Sequence, residues 1–258
     1  MKRFVFTIDD NIKFFRALTE QPYKSLFEHP YLALLKRIHE QWCVKVQLNC
    51  FWGDMDGFDL SKMSNRYQKE WEENASWLKL SFHSKTEFPI EPYKDSDGAD
   101  IYEDCVAVHR EIVRFAGANS LAKTTTVHFC VASGACVKAL QGCNVQGLLG
   151  LYGTADAPQN SYDCRLDESE RIRQGELVEK DGVVHAGIDV ILNLYEPTEI
   201  VALLQALQGR AHIQVMIHEQ YFYPDYVYYQ PNFQEKLEKT MAYLTENGYE
   251  SAFLEELI

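Results

Sequence analysis

Phe4-Val5-Phe6-Thr7-Ile8-Asp9-Asp10 decides the fold of this 258-residue chain. The stretch is apolar, aromatic and β-branched, a composition that favours a strand, and it stops on two adjacent carboxylates. It reads as a buried first strand whose end carries chemistry. Two later apolar runs stop in the same manner, residues 78–82 on His83 and residues 212–217 on His218.

Outward from that strand, apolar runs of strand length alternate with helical periodicity. Strands are predicted at 3–8, 44–52, 78–82, 124–131, 145–151, 188–194, 212–217 and 251–254. Helices are predicted at 11–19, 29–42, 60–74 (with Ser61 as a cap), 100–116, 133–143, 197–207 and 231–247. The alternation predicts an α/β protein, with a largely parallel sheet closed into a β/α barrel. Residues 152–187 break the rhythm. They read as an insertion at the barrel rim within a single domain spanning 1–258, with a hairpin at Lys180-Asp181-Gly182 and a lid over the site as its expected role.

Charged residues are 24% of the chain and hydrophobic residues 46%, enough for a sizeable core. The net charge of −13 argues against nucleic acid, whose phosphates need a basic surface. No apolar run approaches the roughly 20 residues that span a bilayer, and the first strand is too short for a secretion signal, so a cytoplasmic protein is expected. The seven cysteines include no C-x-x-C pair and read as reduced thiols. Gly53-Asp54-Met55-Asp56-Gly57 lacks the closing Glu of a calcium loop and reads as a solvated turn.

In a parallel barrel all strands end at one rim, and that rim carries the active site. Asp9, Asp10, His83, Glu87 and His218 therefore converge by position alone. The residue types suit a divalent cation such as zinc, which takes imidazole nitrogen and carboxylate oxygen and keeps a position open. His83 and Glu87 are four apart, so one helical turn would put both on the metal, stopped by Pro89. Asp10 completes the set. Asp9 is then the general base, and His218 the acid that protonates a leaving group. His128, read as lying inside the fourth strand, and His212 are assigned structural roles.

These residues resemble the polysaccharide deacetylases, the NodB-like carbohydrate esterases. Thr7-Ile8-Asp9-Asp10 is similar to the family's first motif, His83-Ser84-Lys85-Thr86-Glu87 to its second, and Val215-Met216-Ile217-His218 to its last. The resemblance covers nearly the whole chain. It implies a distorted (β/α) barrel of about seven strands, with Asp9 as base, Asp10 on the metal, and removal of an N- or O-linked acetyl group from a sugar. The chain departs from the pattern at Asn11, where the family has Gly, and at Glu87, where it has His. The family's R-x-P motif, whose Arg orients the base, has no counterpart; Val127-His128-Phe129-Cys130 occupies that region. The expected substrate is a small acetylated carbohydrate or related amide. The alternatives are a non-catalytic relative that binds sugar or metal, and a glycosidase of the same superfamily using Asp189 or Glu219 as a second carboxylate. In the aromatic loop after His218, Tyr221 and Tyr223 are candidates for stacking on a sugar face; a subunit contact in a homo-oligomer is the other reading.

Overall fold

The computed structural model describes residues 2–156 and 161–258; residues 157–160 of the inserted segment lie outside the described residues. The chain runs β1 (Lys2–Asn11), α1 (Lys13–Glu20), α2 (Pro30–Trp42), β2 (Val46–Phe51), α3 (Gln68–Asn74), β3 (Leu78–Ser84) and α4 (Ala99–Ala116). It continues through β4 (Thr124–Thr126), α5 (Gly134–Gly142), β5 (Gly147–Gly150), α6 (Leu166–Arg173), β6 (Val178–Lys180), β7 (Val183–Gly187) and β8 (Val190–Ile191). The last elements are α7 (Pro197–Ala206), β9 (His212–His218), α8 (Phe233–Glu246) and β10 (Tyr249–Ser251).

The strands form two sheets, ordered β3-β2-β1-β9-β8 and β4-β5-β7-β6, with β10 against the first residues of β1. Every pairing is parallel except the β6–β7 hairpin. The sheets meet at two seams. Between β3 and β4, Ser81 Oγ donates to the Thr124 carbonyl at 2.8 Å and the Thr125 hydroxyl to the Phe82 carbonyl. Between β7 and β8, Ile188 N reaches the Gly150 carbonyl and Asp189 N the Gln214 carbonyl, each at 2.9 Å. The result is a (β/α) barrel distorted at its seams, where side chains and single bonds replace full ladders.

β1 is buried on both faces, and its alternation sorts its side chains. Phe4, Phe6 and Ile8 join Phe14, Phe15 and Leu18 of α1 in the large outer core. Val5 faces inward with Leu149, Ala186, Ile188, Met216 and Leu254. By the same parity Thr7 and Asp9 lie inside the barrel.

Several expectations are corrected. Residues 60–74 hold two short 3-10 turns before α3, capped by Asp59 and Ser64 and not by Ser61. The fourth strand stops at Thr126, because Phe129 and Cys130 turn the backbone left-handed (φ 62° and 58°). The strand expected at 188–194 gives way to a 3-10 turn after Ile191. The hairpin at Asp181-Gly182 forms, yet its second arm, β7, pairs with β5 inside the sheet, so the insertion ends before it. Among the described residues no helix is long and apolar enough to cross a membrane.

Two buried histidines tie stability to acidity. Burial pushes the His29 and His185 rings from 6.5 down to about 4, so the folded chain keeps them neutral where the unfolded chain takes up protons. Their contribution to stability is then complete above about pH 6.5 and is lost as the pH drops from there toward 4. Urea titrations at pH 7 and pH 5 should show a loss of about 2 kcal/mol per ring. His29→Phe should flatten the dependence; an equal slope in that variant would contradict the assignment.

Candidate metal centre

Parity alone would point Asp10 out of the barrel, opposite to Asp9. A bulge reverses it. The β1–β2 register shifts between Ile8 and Asn11, and Asp10 takes φ 62°, a left-handed backbone that is costly for a residue with a Cβ. Asn11 pins the bulge. Its Nδ2 donates to the Ile8 carbonyl at 2.5 Å and the Asn49 carbonyl at 3.0 Å, and its Oδ1 accepts from the Tyr31 hydroxyl at 2.9 Å. Both carboxylates thus reach the rim of the barrel.

Three donor atoms meet there: Asp10 Oδ1, His83 Nε2 and His128 Nδ1. Asp10 Oδ1 lies 3.0 Å from His83 Nε2 and 3.3 Å from His128 Nδ1, and the two nitrogens are 3.1 Å apart. Around a tetrahedral zinc with bonds of about 2.0–2.1 Å, adjacent donors sit about 3.3 Å apart. The far nitrogens fix the tautomers. His83 Nδ1 faces the Thr126 carbonyl at 2.5 Å, and His128 Nε2 faces the Glu87 carbonyl at 3.1 Å. A nitrogen against a carbonyl carries a proton, so either ring, when neutral, presents its other nitrogen to the cluster as a lone pair. Two lone pairs and a carboxylate at this spacing form a donor set suited to a cation among them. Phe51 packs against both rings and fixes their orientation, with centroids at 5.2 and 4.9 Å.

The electrostatics agree. Burial would raise the Asp10 carboxyl, but hydrogen bonds from His128 and His83 hold it far below the ordinary carboxylate range. Burial would lower the His83 ring, yet the negative charge of Asp9 and the bond to Asp10 raise it above its usual value. The pocket is built for positive charge.

The third member of the cluster is His128, where the sequence reading expected Glu87. No helical turn spans 83–87; His83 lies in β3 and an irregular bend follows, so the four-residue spacing does not bring Glu87 to the cluster. Glu87 contributes its backbone carbonyl to His128, while its carboxylate stands outside the three-donor group. His128 was hidden because Val127 and Val131 extend the apolar run past the true strand end, with no Gly to mark the turn.

Asp9 and His218 are register partners on β1 and β9. Burial raises the Asp9 carboxyl, opposed by the charges of His83 and His218 and by a 2.7 Å hydrogen bond from Asn49 Nδ2. Asn49 supplies the orienting contact that the sequence reading sought in an arginine. His218 Nδ1 bonds Asn193 Oδ1 at 2.8 Å, which turns Nε2 toward Asp10 Oδ2 at 4.0 Å. Neither asparagine stood out in sequence, since an amide gives no chemical signature until its partner is known.

Over the cluster lies a cavity of about 520 Å³ whose wall includes Tyr221, Tyr226, Cys130, Leu151, Ile191 and Met216. Tyr223 faces a neighbouring groove, its hydroxyl donating to Glu219 at 2.7 Å. Among the described residues none from 152–187 lines the cavity, so the expected lid is not seen. The glycosidase reading loses both of its named carboxylates. Glu219 accepts from the Ile12, Lys13 and Phe14 amides at the start of α1, and Asp189 pairs with Arg210 and the Gln214 amide.

Asp10→Ala, His83→Ala and His128→Ala should each lower affinity for zinc or cobalt at least about a hundredfold in a metal titration, because two donors remain. Glu87→Ala should bind within a few-fold of wild type. Loss of metal in Glu87→Ala alone would restore the sequence assignment.

No family model and no curated protein matches this sequence. Solved structures do. A family 4 acetyl xylan esterase from Clostridium thermocellum, in complex with a cobalt ion, matches 99% of this chain and 90% of its own at 13% identity and a TM-score of 0.55. A family 4 carbohydrate esterase pseudoenzyme from Bacillus anthracis matches 99% and 65% at 15% identity and a TM-score of 0.51. A 4-α-glucanotransferase from Thermococcus litoralis matches 99% of this chain and 40% of its own at 13% identity and a TM-score of 0.60. Likeness at this identity establishes the fold: the chain is built on the distorted (β/α) barrel of the family 4 carbohydrate esterases, with a highly divergent sequence.

Proposed function

We propose that this chain is a metal-dependent hydrolase that removes an acetyl group from a small acetylated carbohydrate or related amide. The observation that carries the reading is the convergence of Asp10, His83 and His128 beside Asp9 and His218. Zinc is the ion proposed, since two imidazoles and one carboxylate suit a borderline divalent cation. When held there, it supplies Lewis acidity toward water and a carbonyl oxygen.

The chain's own groups account for the proton traffic. Asp9 is the base that takes a proton from the attacking water; its burial makes the carboxylate a better acceptor, and Asn49 keeps its Oδ1 in place. His218 delivers a proton to the departing oxygen or nitrogen through Nε2, because Asn193 occupies Nδ1. Cys130, Leu151, Ile191 and Met216 form an apolar wall that suits an acetyl methyl, and Tyr221 offers a ring face to a sugar. The seven free cysteines support a reducing, cytoplasmic setting.

A second reading is a non-catalytic relative. It is supported by the similar pseudoenzyme and by the amide, in place of a charged group, beside Asp9. One experiment separates the two. Zinc-loaded protein offered a panel of O- and N-acetylated monosaccharides should release acetate. Asp9→Asn should lower kcat by about a hundredfold or more, the usual scale for a positioned base, and Asn193→Ala should lower it less. Sugar and metal binding with no acetate from any member of the panel would favour the non-catalytic reading.

A further inference from the structure

Glu87 is free of the cluster but stands at its edge. It lines both the cavity over the three donors and the adjoining groove of about 470 Å³, together with Gln220 and Tyr226, so it stands where the two spaces adjoin. Its side chain is half-buried, and among the described residues it accepts no hydrogen bond and forms no ion pair. The bases of the groove are engaged elsewhere. Lys13 pairs with Asp225 at 2.8 Å, and Arg16 with Glu20 at 2.9 Å and with Asp54 and Asp56 at 3.1 Å. Carboxylates therefore outnumber bases along this wall; burial and the Asp10 charge raise the Glu87 carboxyl, and the His128 and Lys13 charges oppose this only from a distance, with no ion pair.

A carboxylate only accepts hydrogen bonds, so its missing partner is a donor. In a partly desolvated, negatively charged wall a cationic donor gains more than a hydroxyl. The position is also fixed relative to the chemistry. The Glu87 carbonyl holds His128 Nε2, so the side chain leaves the backbone from a point anchored to the cluster.

We propose that Glu87 determines substrate class by binding a protonated amine on the acetylated substrate, seated in the groove while the acetyl group occupies the cavity over the cluster. This rests on the deacetylase reading above. The preferred substrate then carries an ammonium group as well as its acetyl group, as in an O-acetylated amino sugar, and a neutral sugar ester is a poorer one.

The test compares 6-O-acetylglucosamine with 6-O-acetylglucose, which differ at one position, amine against hydroxyl. Binding to zinc-loaded Asp9→Asn protein is measured by calorimetry, and acetate release is measured with the Asp9 protein. The amine-bearing sugar should bind about tenfold more tightly, the scale of one charge-assisted hydrogen bond. Glu87→Gln should erase that preference while metal content stays unchanged. Equal affinities, or a preference that survives Glu87→Gln, would overturn the inference even if both esters are cleaved. A preference that depends on Glu87 without any acetate release would uphold the recognition and overturn the deacetylase reading instead.

Discussion

Two imidazole lone pairs and a carboxylate oxygen held within 3.3 Å of one another, out of water, are the constraint on which this structure turns. A protein that holds such a group ready for a cation must oppose its separation at every point. It does so through backbone. The Thr126 and Glu87 carbonyls fix the two rings, and the left-handed turn at Asp10 brings its carboxylate to meet them. The strained residues of this region, Asp10, Phe129 and Cys130, lie in or within two residues of the cluster, which is where stored backbone strain is expected.

The barrel interior is unusually polar beneath the site, and that polarity is structural. Gln47 bonds Asn49 and the Thr124 carbonyl at 2.8 Å, Thr124 Oγ1 returns a bond to Gln47 Oε1 at 2.9 Å, and Ser81 reaches the Thr124 carbonyl. These bonds cross the β3–β4 seam where the ladder is missing. They also carry order up to Asn49, and from there to Asp9. One network therefore ties the seam and orients Asp9. A fully satisfied buried network of this kind rigidifies what it touches.

The fold by itself does not select the chemistry. Structures sharing it include an esterase, a pseudoenzyme and a glucanotransferase, each from a sequence far from this one. In this chain the site is set by the disposition of its carboxylates. Glu219 is spent on the first turn of α1 and Asp189 on Arg210, which leaves Asp9 and Asp10 at the cluster and Glu87 unpartnered beside it.

The sequence determined the alternation of strand and helix and the strand-end placement of Asp9, Asp10, His83 and His218. These follow from local periodicity, which is written residue by residue. It did not reveal His128, the retreat of Glu87 or the roles of Asn11, Asn49 and Asn193. His128 reaches the cluster only because β4 ends early in a left-handed turn that no Gly announces. The asparagines act through partners 25 to 40 positions away on neighbouring elements, as Asn49 does on Asp9. Periodicity places a residue on a face. Which atom meets which across the barrel is decided by register, bulges and seams, and those exist only once the strands have paired.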